Sequence, residues 1–237
     1  MLIDLGEELA PHTFSGVVQV GAHHGQEHET FVRLGCRSFL YIEPQSQPFM
    51  VLRSKFSEHP SVRLEQCAIG NVPGTMTMYC ETANQGMSSS LLKPQIHLRQ
   101  YPSIVFDRTE EVLVRRLADV LDDQAAAPAR YDLLVIDVQG YELEVLKSGI
   151  DGLSIFPRQF AFILTEVNRA PLYAGCAMVG DLDTFLEPFG FARIKTNWAG
   201  GTWGDALYMQ TGRYKRIPLF QRLTWWKTKG ARYLRCS

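Results

Sequence analysis

Asp137 follows the apolar run Leu133-Leu134-Val135-Ile136 and precedes Val138-Gln139-Gly140, so a carboxylate stands where a buried strand gives way to a tight turn. In an open α/β sheet, ligands gather outside the carboxyl ends of the strands, which is where Asp137 lies. Two roles suit it: a group that takes part in chemistry, or a cap on the helix that begins near Glu142. A second apolar run ends in Thr165-Glu166-Val167-Asn168, and a third, Ser38-Phe39-Leu40-Tyr41-Ile42, ends in Glu43-Pro44. Carboxylates at neighbouring strand ends can take a proton from a weak nucleophile, accept from hydroxyl groups, or gather a hard cation.

A fourth run, Val17-Val18-Gln19-Val20, enters Gly21-Ala22-His23-His24-Gly25, and helical spacing resumes at Phe31 and Leu34. Strand, glycine turn and helix start form a cradle whose free N–H groups face an anion or a polar ligand. The spacing is G-x-x-x-G, so the G-x-G-x-x-G dinucleotide fingerprint is absent. Glu43 comes about 20 residues after the turn, the place of a ribose-binding acid in α/β nucleotide domains. Ala68, at the end of the strand Val62–Ile69, is small enough to admit an aromatic base.

These groups need elements to hold them. The pattern predicts a short lead-in helix within residues 2–14, and helices over Gln45–Glu58, Leu117–Leu121 and Asp181–Phe189. Strands are expected at Thr75–Tyr79, as an addition to the same sheet region, and at Glu111–Arg115, Pro157–Leu164, Phe191–Lys195 and Asp205–Gln210. Gln85–Ser90 reads as a polar loop whose Ser88, Ser89 and Ser90 either contact a substrate or cap a helix. Residues 93–108 read as a lid or substrate insertion.

The chain's 237 residues suit one substantial α/β domain, taken as residues 1–212. The five cysteines are odd in number and never in C-x-x-C, which argues against structural zinc and a disulfide framework. No apolar run reaches a membrane span, and the N-terminus lacks a signal-peptide pattern, so a cytoplasmic protein is expected. Eight basic residues and no acid lie from Arg213 onward, leaving 16 basic against 25 acidic residues before it. That balance disfavours nucleic acid as a partner for residues 1–212. Residues 213–237 interleave basic and aromatic side chains, and read either as a packed helix or as a peripheral contact with an anionic inner membrane surface.

Taken together, Gln19–Gly25, Ile42-Glu43-Pro44, Ala68-Ile69-Gly70, Ser88–Leu91 and above all Ile136-Asp137-Val138-Gln139-Gly140-Tyr141-Glu142-Leu143 resemble the FkbM family of S-adenosylmethionine-dependent methyltransferases. The resemblance covers residues 17–195. It departs from the family where His23 or His24 stands in place of a common Asn in the glycine turn, and where Gln139 stands in place of a common Glu. It implies a class I methyltransferase, Rossmann-like fold: a seven-stranded, mostly parallel sheet flanked by helices, with one antiparallel strand near the C-terminus. It further implies that Gly21, Ala22, His23 and Gly25 hold the cofactor's methionine part, that Glu43 and Pro44 meet its ribose, and that Cys67, Ala68 and Ile69 flank its adenine. Asp137, with Val138 and Gln139, then lies beside the sulfonium and the acceptor. The activity implied is O-methylation of a hydroxyl on a sugar, glycan or related natural product.

Within that activity, Asp137, Glu166 and His24 are the candidate catalytic groups, and Ser88, Ser89, Ser90, Glu142 and Asn168 the candidate acceptor contacts. A magnesium site built from Asp137, Glu166 and Asn168 is the lesser alternative to a metal-free base. Two other functions stand against the main one: a non-catalytic scaffold that keeps the cofactor fold, and a nicotinamide-dependent oxidoreductase.

Overall fold

The computed structural model describes residues 1–9, 12–123, 130–150 and 159–214. The elements relevant to the site run α1 (Leu5–Glu8), β1 (Gly16–Val20), α2 (His28–Arg33), β2 (Ser38–Ile42), α3 (Ser46–Phe56), β3 (Val62–Glu65), β4 (Ala68–Ile69) and β5 (Gly74–Glu81). They continue with α4 (His97–Gln100), β6 (Phe106–Arg115), α5 (Leu117–Asp123), β7 (Leu133–Ile136), α6 (Glu142–Ser148), β8 (Phe162–Asn168), α7 (Val179–Leu186), β9 (Phe191–Ala199) and β10 (Trp203–Gln210).

Seven strands form one sheet in the order β3-β2-β1-β7-β8-β10-β9. β1 pairs in parallel with both β2 and β7, and β7 in parallel with β8. β10 is antiparallel to both of its neighbours, β8 and β9. This is the expected class I methyltransferase arrangement. The chain leaves β1 in one direction through β2 and β3 and returns on the other side at β7, so the crevice between β1 and β7 is the topological switch point.

Period-two alternation sorts each central strand into two cores. Val18, Val20, Leu134, Ile136 and Ile163 face a layer that includes Leu117 and Val120 of α5, Val145 and Leu146 of α6, and Leu182 and Leu186 of α7. Val17, Phe39, Leu133, Val135 and Leu164 face Leu5, Phe31, Leu52 and Phe56 from α1, α2 and α3. Both faces are buried, which is why these strands read as continuous apolar runs. Asp132 ties the two switch-point strands at their start, its carboxylate accepting from the Ser15 N–H at 2.9 and 3.0 Å and the Gly16 N–H at 3.2 Å.

Several sequence expectations need correction. Val62–Ile69 is not one strand: β3 ends at Glu65, and Ala68–Ile69 joins a second, three-stranded sheet of order β4-β6-β5. β3 lies at the edge of the main sheet, so bending the chain after it lets Ala68 and Ile69 pair with Val114 and Arg115 of β6 instead of leaving their backbone groups unmatched. Thr75–Tyr79 accordingly belongs to this small sheet, within β5. Among the described residues of the lead-in, only Leu5–Glu8 is helical. Residues 93–108 supply α4 and the start of β6, and His97 packs 5.4 Å from the ring of Tyr173, which makes part of the stretch a prop. The tail after residue 214 lies outside the described residues. Among the described residues, no helix is long and apolar enough to cross a membrane.

Leu134 is fully buried at the centre of β7. Leu134→Ala is expected to destabilise the protein by about 2–5 kcal/mol, from lost transfer energy plus the residual cavity. Chemical denaturation of the two proteins measures this.

Candidate active site

Gly21 sits where β1 gives way to its turn, with φ +80°. A Cβ here would lie 1.9 Å from the carbonyl oxygen of Asp137. Only glycine lets the ends of β1 and β7 come this close. Gly25 has a different task, because a Cβ there would meet Phe56 and Leu52 of α3 at 2.7 and 2.9 Å. Between them His23 takes φ +47°, a region L-residues visit sparingly.

A cavity of about 930 Å³, counting its open mouth, lies over this crossing. Gln19, Gly21, His23, Glu43, Pro44 and Gln45 line one side, and Asp137, Val138, Gln139 and Tyr141 the other. Ala68, Ile69, Met78 and Leu91 close one end, and Gly86, Met87 and Ser89 cover it. Glu43 is buried, with Oε2 accepting from the His23 N–H and Oε1 from the Gln45 N–H, each at 2.9 Å. Burial raises its carboxyl above the usual range, against the pull of those two donors. Each oxygen keeps a lone pair for a ligand.

The loop over the cavity is fastened at several points. The His23 ring nitrogen Nε2 lies 2.8 Å from the Gln85 carbonyl, and Gln45 Nε2 donates to the Gly86 carbonyl at 3.1 Å. Glu81 accepts from the Asn84 N–H at 2.6 Å. The buried Tyr173 hydroxyl lies 2.8 Å from the Ser88 carbonyl.

At the far end, Glu142 and Glu166 are buried and Asp137 is half-buried, and burial is the first cause that raises the pKa of all three. The Asp137 charge adds to the shift at Glu142 and Glu166, and the Asp205 and Glu27 charges add to that at Asp137. Glu142 is pushed up to about 7, although its Oε1 accepts from the Gly140 N–H at 2.9 Å and the Val138 N–H at 3.3 Å. Asp205 pairs with Glu166 across β10 and β8 and is also raised by burial, with the N–H groups of Leu2 and Ile3 and the Met1 ammonium acting against the shift.

The cavity brings together Gly21, His23, Glu43, Pro44, Ala68, Ile69, Ser89, Asp137, Val138 and Gln139 from the sequence-derived set. Glu166 stands just behind Gln139, which donates to it at 2.7 Å. Ala22 and Cys67 instead belong to the two cores. Ser88 offers its carbonyl to Tyr173, and Ser90 Oγ donates to the Gln139 carbonyl at 2.7 Å. Asn168 is wholly buried with both amide atoms unpaired. His24 does not line this cavity. Its ring rests on that of His23, centroids 3.8 Å apart, and lines a neighbouring groove with Gln47 and Arg108; partial burial, His23 and Lys55 lower its pKa.

Sequence reasoning passed over Gln19, Glu27, Gln45, Tyr141 and Tyr173. Gln19 carried a signal, as a buried amide inside an apolar strand: its Nε2 donates to Glu27 Oε2 at 3.0 Å, while its Oε1 has no partner. Tyr173 carried none.

The sequence model described as the methyltransferase FkbM domain matches residues 19–192. The chain belongs to this family. The 2-O-methyltransferase NoeI of Sinorhizobium fredii (strain NBRC 101917 / NGR234) is 25% identical over 201 residues, spanning 82% of this chain and 79% of NoeI. Among solved structures, Streptococcus pneumoniae Sp1610 in complex with S-adenosyl-L-methionine aligns over 96% of this chain and 88% of its own, at TM-score 0.47 and 11% identity. M. capricolum TrmK in complex with S-adenosyl-homocysteine aligns over 89% and 70%, at TM-score 0.47 and 8% identity.

The raised carboxyls set the sign of a pH effect. Because the folded chain holds the Glu142 proton up to about pH 7 while an unfolded glutamate releases it near about 4.3, this group's stabilising contribution is complete at low pH. It is lost as pH rises between those values. Glu142→Gln removes the effect, so the variant is expected to gain stability relative to the parent between pH 5 and pH 8. Urea denaturation at the two pH values measures it.

Proposed function

We propose that this methyltransferase uses S-adenosylmethionine and moves its methyl group to a hydroxyl of a sugar, glycan or related natural product. The observation that carries the reading is a single cavity running from Glu43 to Asp137 across the switch point, over a crossing only glycine permits. The residues present fit the cofactor. Glu43 offers two acceptor oxygens to a ribose diol, and Ala68, Ile69, Met78 and Leu91 give an adenine an apolar slot. The unpaired Gln19 Oε1, the Glu27 carboxylate and Asp137 offer acceptors to an ammonium group. The similarity to NoeI, a 2-O-methyltransferase, supports an oxygen acceptor.

The bound cofactor supplies an already activated methyl group. What remains for the chain is to align an acceptor oxygen and receive its proton. Alignment alone is worth roughly 7–11 kcal/mol. Asp137 and Glu166 are the groups in this reading that receive the proton. Their raised pKa values bring them nearer to working pH, where a base is most effective. In this reading residues 1–212 are the methyltransferase domain.

The experiment pairs two ligands in calorimetry. S-adenosylhomocysteine carries the amino-acid part, and 5′-methylthioadenosine lacks it. The parent binds both, and Glu43→Ala weakens both. Glu27→Ala weakens only S-adenosylhomocysteine, by about tenfold or more, the value of a charge-assisted hydrogen bond. No binding of either ligand to the folded parent contradicts the reading. In methyl-transfer assays across hydroxylated acceptors, Asp137→Asn and Glu166→Gln are each expected to lower kcat by about 10²- to 10⁴-fold.

A further inference from the structure

Gln139 sits in the turn after β7 at φ +57°, and every polar atom of its side chain is used. Its Nε2 donates to Asp137 Oδ1 at 2.8 Å and to Glu166 Oε2 at 2.7 Å. Its Oε1 lies 3.1 Å from the Tyr173 hydroxyl. Two carboxylates demand two donors, so the amide has only one orientation that satisfies them. A nitrogen held between two carboxylate oxygens fills the position from which a divalent cation would bridge the same pair.

The clamp is itself held on several sides. Ser90 Oγ donates to the Gln139 carbonyl at 2.7 Å. A Cβ on the next residue, Gly140, would lie 2.9 Å from the Cys176 Cβ and 3.2 Å from the Tyr173 ring, so the turn is packed tightly against the segment that carries Tyr173. Among the described residues, no three His, Cys, Asp or Glu side chains are placed to hold a metal ion.

We infer that Gln139 is the positioning residue of the centre: its amide takes the place of a bridging cation and holds Asp137 and Glu166 as a cation-free pair. Each carboxylate is left with one oxygen that Gln139 does not engage. The pair itself follows from the geometry; its part in methyl transfer rests on the proposed function. A carboxylate at position 139 would reverse the arrangement, placing three acids together with no donor between them and making a site for a hard cation.

The test is a Mn²⁺ titration followed by electron paramagnetic resonance, which needs no knowledge of the acceptor. Q139E is expected to bind Mn²⁺ at least about tenfold more tightly than the parent, since ligand charge count sets such affinities. The gain is expected to vanish in Q139E/E166Q. Should Q139E fail to fold, Q139A, which frees both carboxylates without adding charge, is expected to show a smaller gain that again depends on Glu166. A purely structural role would move the melting temperature but not the Glu166-dependent spectrum. Folded variants that bind Mn²⁺ no better than the parent would overturn the inference. So would a parent that binds Mn²⁺ as tightly as Q139E and loses it in E166Q. Parallel titration with S-adenosylhomocysteine keeps the two claims apart, because failure of the parent to bind it counts against the proposed function and leaves the Mn²⁺ result to judge Gln139.

Discussion

The close passage of Gly21 under the Asp137 carbonyl is the constraint on which the rest of the centre depends. Adjacent parallel strands lie about 4.7–4.9 Å apart, but at the switch point the turn leaving β1 must fold back over the end of β7. A side chain at position 21 would put a carbon 1.9 Å from that carbonyl oxygen. With no side chain there, the cavity floor is backbone, and His23 follows at positive φ with its N–H on Glu43. The cavity and the Glu43 carboxylate at its edge are thus positioned by one steric allowance.

The opposite end is governed by electrostatics. Asp137, Glu142 and Glu166 lie in surroundings where ionisation is costly, and the Asp137 charge raises the other two further. Such a group of acids persists only if donors reach it. The donors are the Gln139 amide and the N–H groups of Val138 and Gly140, which the turn after β7 aims at these side chains. One turn therefore both presents Asp137 to the cavity and limits the cost of keeping Glu142 and Glu166 buried beside it.

Strand-end chemistry could be read from sequence because burial on both faces leaves apolar runs that stop abruptly at Glu43, Asp137 and Glu166. Distances along the chain then ordered them. What could not be read depends on contacts between distant segments. The bend that moves Ala68 and Ile69 into a second sheet answers to β6, more than 40 residues on. Tyr173, far from every motif, reaches the loop at Ser88 and the amide of Gln139. His24 shares a turn with His23 yet lines another groove, because the backbone between two adjacent residues decides which way each ring faces.

In the proposed reading, the cavity between β1 and β7 holds S-adenosylmethionine with its ribose on Glu43 and its reacting end toward Asp137. A crystal structure of the full chain with S-adenosylhomocysteine tests it most directly. The account predicts ribose hydroxyls within hydrogen-bond distance of both Glu43 oxygens, adenine against Ala68 and Ile69, and the sulfur on the Asp137 side. Density for the ligand in the groove lined by His24 and Arg108, or with its ribose away from Glu43, would contradict it.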